Sequence, residues 1–305
     1  IAAYADLTYE VTPKFFITAG VRYAHDWQKD VRTQAAFSVN NVATPANLDT
    51  VKGDHATPRV VLRYKPTDQM SVYASYSKGY KAAFLDLGGG VTNRTVRPEK
   101  IDAWEVGLKF DNRRISFEAA GFYYNYKDLQ VSLYQSGQAL IVNAASAKIY
   151  GLDAQLRVNV TDSFSFNAGA NLIHARYKNF ANAPIYTPCL IQQIPADVTA
   201  CANLGQSFPI IGQQLNDVTM QRAPGFTGNI GARYHTLVAG GKFELSGNLY
   251  YSSKFFFGPS GIQFPQKAYE VLSLRAQWTD PSEHYMIAVF GDNVTNSRYK
   301  TGVQY

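Results

Sequence analysis

The chain has 305 residues, 46% hydrophobic and 14% aromatic, with a formal net charge of +6 and a mean hydropathy of −0.21. No run of about eighteen apolar residues occurs, which excludes a transmembrane helix; a membrane β-barrel stays open, because alternating strands hide their lipid face from a hydropathy average. The positive charges are spread singly or in pairs, so there is no stripe of the kind that binds nucleic acid.

About twelve strands rich in aromatic and β-branched residues are predicted, with turn residues between them. They lie near 1–11, 15–27, 57–65, 70–79, 99–110, 115–134, 139–160, 164–178, 220–235, 242–257, 267–279 and 283–300. No segment carries a helical period. The connections alternate in length. Short ones are Thr12-Pro13-Lys14, Pro66 to Gln69, Asp111 to Arg114, Thr161-Asp162-Ser163, Thr236 to Gly241 and Asp280-Pro281-Ser282. Longer ones fall near 28–56, 80–98, 135–138, 179–219 and 258–266. Leu129 to Ala147 together form a candidate region beyond the membrane. Tight turns at one end and long loops at the other mark an up-and-down meander, the asymmetry of outer-membrane barrels.

Within strands the alternation is sharp. Tyr150, Leu152, Ala154, Leu156 and Val158 share one face, whereas Gly151, Asp153, Gln155, Arg157 and Asn159 share the other. The same split separates Trp104, Val106, Leu108 and Phe110 from Glu105, Gly107 and Lys109. Leu245 and its neighbours are separated from Glu244, Ser246 and Asn248 in the same way. Soluble strands most often run about 5–6 residues; these reach the 9–11 that a tilted membrane strand needs. Small residues recur on the oily face (Ala119, Gly121, Ala168, Gly247), a surface that lipid tolerates and an opposing sheet would not. The predicted fold is therefore all-β, a transmembrane antiparallel up-and-down β-barrel with hydrocarbon on one face. The charged Glu105, Glu118, Asp153, Arg157, Arg233 and Arg275 are predicted to line the interior.

Several stretches resemble TonB-dependent outer-membrane receptors of the siderophore-receptor type. They are "YASYSKGYKAAF" (73–84), "RPEKIDAWEVGLKF" (97–110), "FEAAGFYYNYKDLQVS" (117–132), "NAASAKIYGLDAQL" (143–156) and "FGDNVTNSRY" (290–299). Their order and spacing match the C-terminal half of that family. The resemblance implies that residues 1–305 are the C-terminal portion of a barrel of 22 strands with a plug inside. The plug domain, the TonB box, the early strands and the final strand would then lie outside this chain. It further implies a bacterial outer-membrane active transporter that takes up a scarce nutrient, a ferric siderophore by default, through the TonB–ExbB–ExbD complex. Such a protein is not an enzyme, has no cofactor, and is surrounded by outer-membrane lipid and lipopolysaccharide. A passive porin or substrate-specific channel is the alternative. After Gly79-Tyr80-Lys81 the family often continues with glycines, whereas here Ala82-Ala83-Phe84 intervenes, which leaves the ligand class open.

Ligand candidates are aromatic and cationic residues of the outer loops, since these types hold anionic chelates and sugar rings. They are Tyr80, Lys81, Arg94, Arg97, Tyr186, Lys254 and Phe256. Cys189 and Cys201 share one long loop. A local disulfide between them would constrain it by on the order of 3 kcal/mol; two unrelated thiols are the alternative. The five histidines show no metal-ligand spacing, and no nucleophile motif is present.

Overall fold

The computed structural model describes residues 1–29, 50–86, 94–135, 138–143, 146–186, 210–258, 261 and 263–303. Twelve of its strands form one continuous wall. They are β1 (Ala2–Thr12), β2 (Phe15–Lys29), β3 (Thr50–Thr67) and β4 (Met70–Lys81), followed past a loop hairpin by β7 (Glu99–Asp111) and β8 (Ile115–Lys127). Then come β11 (Ser146–Asn159), β12 (Phe164–Tyr186), β15 (Phe226–Val238), β16 (Gly241–Ser252), β19 (Tyr269–Thr279) and β20 (Met286–Gly291). Each pairs antiparallel with its neighbours in this order, β1 and β20 with one neighbour each among the described residues. The remaining strands lie beyond the long-loop end. The hairpin β5 (Phe84–Asp86) and β6 (Arg94–Val96), the hairpin β9 (Gln130–Gln135) and β10 (Gln138–Asn143), and the pair β17 (Phe255–Phe256) and β18 (Pro265–Gln266) are separate small sheets. β13 (Ile210–Leu215) and β14 (Val218–Thr219) extend the wall by pairing with the upper part of β12.

The short turns are closed by their own side chains. Thr12 accepts from the Phe15 amide at 3.1 Å, Asn112 from Ile115 at 2.7 Å, Thr161 from Phe164 at 3.0 Å and Asp280 from Tyr285 at 2.6 Å. A side-chain oxygen that mimics the turn carbonyl is the role Asn, Asp and Thr fill best. Ala239 and Gly240 both have positive φ, 51° and 77°. That is the twist a two-residue hairpin loop demands.

The register puts the predicted faces where the alternation placed them. Leu108, Ala119, Ala154, Ala170 and Gly228 lie on one transverse row, and Val106, Gly121, Leu152, Leu172 and Phe226 on the next. Trp104, Val106, Leu152, Leu172, Ile230, Leu245 and Leu274 are all exposed large apolar side chains. A soluble sheet would bury that face; here it stays exposed among the described residues. Higher up, Tyr76, Trp104, Tyr123, Tyr150 and His174 are cross-strand neighbours on five consecutive wall strands. Their centroids are 5.3, 5.7, 6.4 and 4.7 Å apart along the row. Phe110, Phe117, Tyr234, Phe243 and Trp278 mark the opposite end of the apolar band. On β7 the two levels are six residues apart, ~20 Å along the strand, as befits a lipid-facing band flanked by two aromatic girdles.

Several boundaries differ from the sequence expectation; among them β15 begins at Phe226 rather than 220, and β16 ends at Ser252 rather than 257. β3 runs Thr50–Thr67 rather than 57–65, because its outer part pairs with β2 alone, among polar residues that carry no apolar signal. Its pairing with β4 stops at Arg59, beside Pro58, which has no N–H to give a second neighbour. The expected strands 115–134 and 139–160 each break, so that Gln130–Gln135 and Gln138–Asn143 form their own hairpin above the membrane. β12 continues to Tyr186 instead of ending at 178, and β20 ends at Gly291 instead of running to 300. Positive φ at Asn293 and Asn296, with Asn293 bonded to Ser297, bends the chain after β20.

Ala154 sits mid-band on the lipid face, and Gln155 points the other way. Ala154→Arg is expected to destabilise the folded barrel by about 2–4 kcal/mol, and Gln155→Arg by less than about 1 kcal/mol. Denaturant titration of the full-length protein in lipid vesicles measures both.

Candidate functional site

The wet face is a lattice of polar contacts that runs up the interior wall. Tyr73 lies across Gly107, where a Cβ would come within 2.5 Å of its ring, and its hydroxyl donates to Glu105 at 2.6 Å. Lys109 bonds Glu118 at 3.0 Å, and Asn171 donates to Asp153 at 3.3 Å. Arg233 faces Glu244 at 3.3 Å, and Arg275 donates to Gln277 at 2.8 Å. The predicted lining residues Glu105, Glu118, Asp153, Arg157, Arg233 and Arg275 thus all lie on this face. Most are exposed pairs, worth little as stabilisation. Their role is to keep one side of the wall wet.

Above the band the wall rises into a rampart with its own core. Val131, Ala147, Tyr177, Phe180, Ala183 and Leu215 are buried together, with Tyr126, Leu129, Val218 and Met220 against them. Burial pushes the Tyr177 hydroxyl up to about 12, against the opposing effect of a backbone hydrogen bond at Gln221. On the outer surface of the same strand Asp217 accepts from Lys178 and from Arg176. The Lys178 hydrogen bond holds its carboxyl below the usual carboxylate range.

Two groups of candidate residues emerge at the rim. In the first, Tyr80 fills the gap left where β3 and β4 part. Its ring lies 4.1 Å from His55 and its hydroxyl donates to Asp26 at 2.6 Å. Burial first, then that bond to Asp26, raises the hydroxyl above the ordinary tyrosine range. Lys81, at the end of β4, is exposed. Arg97 is a clip: Nε and Nη2 donate to Asp128 at 3.1 and 2.6 Å. Its amide donates to Asn143 at 2.8 Å, and its carbonyl accepts from Asn143 and Gln130. Nearby, Leu85 N–H donates to Gln28 and Ile141 N–H to Asp86. This network ties the β4–β7 and β8–β11 loops into one body.

The second group lies on the β16–β19 connection, and β16 is five wall strands beyond β7. Lys254 Nζ stands 5.6 Å from the Phe256 ring centroid, and Arg222 stacks 5.3 Å from Phe257. The Arg222 amide donates to the Phe256 carbonyl at 2.7 Å. Arg94 is placed opposite Asp86 in β6, and Tyr186 opposite Ile210 at the tip of β12. Cys189 and Cys201 fall outside the described residues. Among the described residues no cluster of His, Cys, Asp or Glu could hold a metal ion. The candidates therefore form two groups rather than one, and Tyr80 and Arg97 already hold loop partners. Asp26, His55, Asp128, Gln130 and Asn143 do the positioning, and single polar residues beyond the apolar band gave no pattern to find them by. Asp128 was expected inside the strand 115–134; its φ of 53° is where the chain turns instead.

The sequence profile described as "TonB dependent receptor-like, beta-barrel" matches residues 1–294. The pesticin receptor of Yersinia enterocolitica is 24% identical over 304 residues, 99% of this chain and 40% of that receptor. The solved ferric yersiniabactin uptake receptor FyuA from Yersinia pestis superposes with a TM-score of 0.73 at 20% identity, over 99% of this chain and 41% of that one. The solved copper transporter OprC superposes with a TM-score of 0.70 at 15% identity, over 98% of this chain and 42% of that one. At these identities the solved structures establish the fold alone. The chain spans about 40% of the length of the receptor it matches.

Asn143→Ala removes three loop-tying hydrogen bonds at once. It is expected to lower the local opening energy at the Arg97 amide by about 1–3 kcal/mol, read by hydrogen exchange, with the wall amides of β7 and β8 unchanged.

Proposed function

Because the chain belongs to the TonB-dependent receptor-like β-barrel family, whose place is the bacterial outer membrane, we propose that its parent protein takes up a ferric siderophore by active transport. The observation that carries this is the match over residues 1–294, supported by the likeness to the ferric yersiniabactin uptake receptor FyuA and to a probable TonB-dependent siderophore receptor, PiuA of Acinetobacter baumannii. The geometry is consistent with it. A lipid-facing wall carries a polar interior, and the described part of its long-loop end is a cored, cross-tied rim.

In this reading the rim residues Lys81, Lys254 and Phe256, with Arg94 and Tyr186, capture an anionic chelate from outside. Tyr80 and Arg97 hold the loops that present them. A plug contributed by another part of the protein meets the polar face lined by Glu105, Asp153 and Arg233. The TonB–ExbB–ExbD complex supplies the energy, lipopolysaccharide surrounds the outer rim, and no covalent chemistry is performed. β1 and β20 each have a single neighbour in the wall. Unpaired strand edges are not tolerated in hydrocarbon, so both edges are paired in the assembled barrel.

A deletion strain under iron limitation tests the proposal. Growth on the cognate ferric siderophore is expected with the full-length gene and is expected to vanish when TonB is removed. An open conductance in planar bilayers would instead identify a passive channel. Lys81→Ala and Lys254→Ala are each expected to weaken ferric-ligand binding about tenfold, measured by titration of the purified receptor.

A further inference from the structure

One outward-facing row has no part in the uptake reading. Directly above the aromatic row Tyr76–Trp104–Tyr123–Tyr150–His174, the register aligns Lys78, Asp102, Asn125, Lys148 and Arg176 on the same five strands. They are two residues further along each strand, hence on the same outer face and ~7 Å higher. Lys100 and Lys127 are paired one step above them, and Lys178 follows Arg176. Six cations thus face outward against two carboxylates, Asp102 and Asp217.

Those carboxylates hold the cations in place rather than neutralise the surface. Asp102 accepts from the Tyr76 hydroxyl at 3.0 Å and stands 3.9 Å from Lys78 Nζ and 3.8 Å from Lys127 Nζ. Asp217 holds Arg176 and Lys178. Lys148 lies between the two nodes, in register with Asn125 on one side and Arg176 on the other. It is exposed and forms no ion pair with any described residue. Five strands span ~19 Å across, the breadth of a headgroup carrying more than one phosphate.

We propose that this belt binds a phosphorylated glycolipid headgroup of the outer leaflet, with Lys148 between the two anchored cation pairs as its central contact. Tyrosine and tryptophan rings mark the depth where acyl chains meet headgroups, and cations one pleat repeat higher meet the phosphates. Lys and Arg donate to phosphate oxygens by charge-assisted hydrogen bonds. A soluble anionic ligand on its way through the barrel would meet the opposite face. The inference rests on the outer-membrane placement but not on which nutrient is carried.

The test uses the full-length protein in detergent, with lipid retention read by native mass spectrometry. The probes are diphosphoryl lipid A and its dephosphorylated form. The wild type is expected to retain the phosphorylated lipid and release the other. The triple variant Lys78→Gln, Lys148→Gln, Arg176→Gln is expected to lose retention on the order of 100-fold, while Lys148→Arg keeps it. Equal retention of both lipids by the wild type, or undiminished retention by a folded triple variant, overturns the proposal. Displacement by excess inorganic phosphate overturns the lipid assignment too. The wild-type comparison decides even if the triple variant fails to fold. Siderophore uptake by the triple variant is expected at the wild-type level, so the lipid result and the uptake result fail independently.

Discussion

Hydrocarbon cannot accept or donate a hydrogen bond, and the rest of the molecule follows from that. Each backbone amide in the membrane must find its partner in a neighbouring strand. The wall is accordingly an unbroken succession of antiparallel ladders, each strand joined to the next in sequence. Once pairing is fixed, the two-residue period decides everything else about the surface. Ala154 faces lipid because Gln155 faces water, and no local rearrangement can exchange them without moving the whole strand.

That constraint explains why the fold was so legible in the sequence and the site so much less. A strand across a bilayer announces itself at every second residue, so Leu152, Trp104 and Leu245 could be assigned faces without any knowledge of their neighbours. Turn chemistry was equally local: Thr12, Asn112 and Asp280 each bond within a few residues of themselves. Outside the membrane this ceases to hold. The outer half of β3 is paired, but its Lys52, Asp54 and His55 alternate no apolar pattern, and the strand was expected to begin seven residues late. The expected strand 115–134 ran on through Asp128, where a left-handed residue turns the chain into a separate hairpin.

The rim was the least legible part, because its organisation is made of single long-range contacts. Arg97 reads as a free loop cation, a good hand for an anionic ligand. Its actual partners, Asp128 and Asn143, come from a connection 31 and 46 residues away. Tyr80 reads as an exposed aromatic, yet it is wedged between His55 and Asp26, 25 and 54 residues before it. Nothing in either local stretch encodes such a meeting. The ordered motifs carried the family nevertheless, since they belong to the wall and its immediate edges.

β12 passes through two solvents, and the same chemistry has opposite weight in each. Leu172 touches hydrocarbon, so trimming it leaves lipid tails to fill the space and sacrifices no transfer from water. A few turns of the pleat higher, Phe180 is buried with Tyr177 in a core whose surroundings are aqueous. There the expulsion of water is a driving force, and a truncation opens a void that no lipid can reach. Along this single strand, tolerance of apolar change is therefore greatest inside the bilayer and least above it. The cored rampart, rather than the oily wall, is where packing holds the sequence to particular shapes.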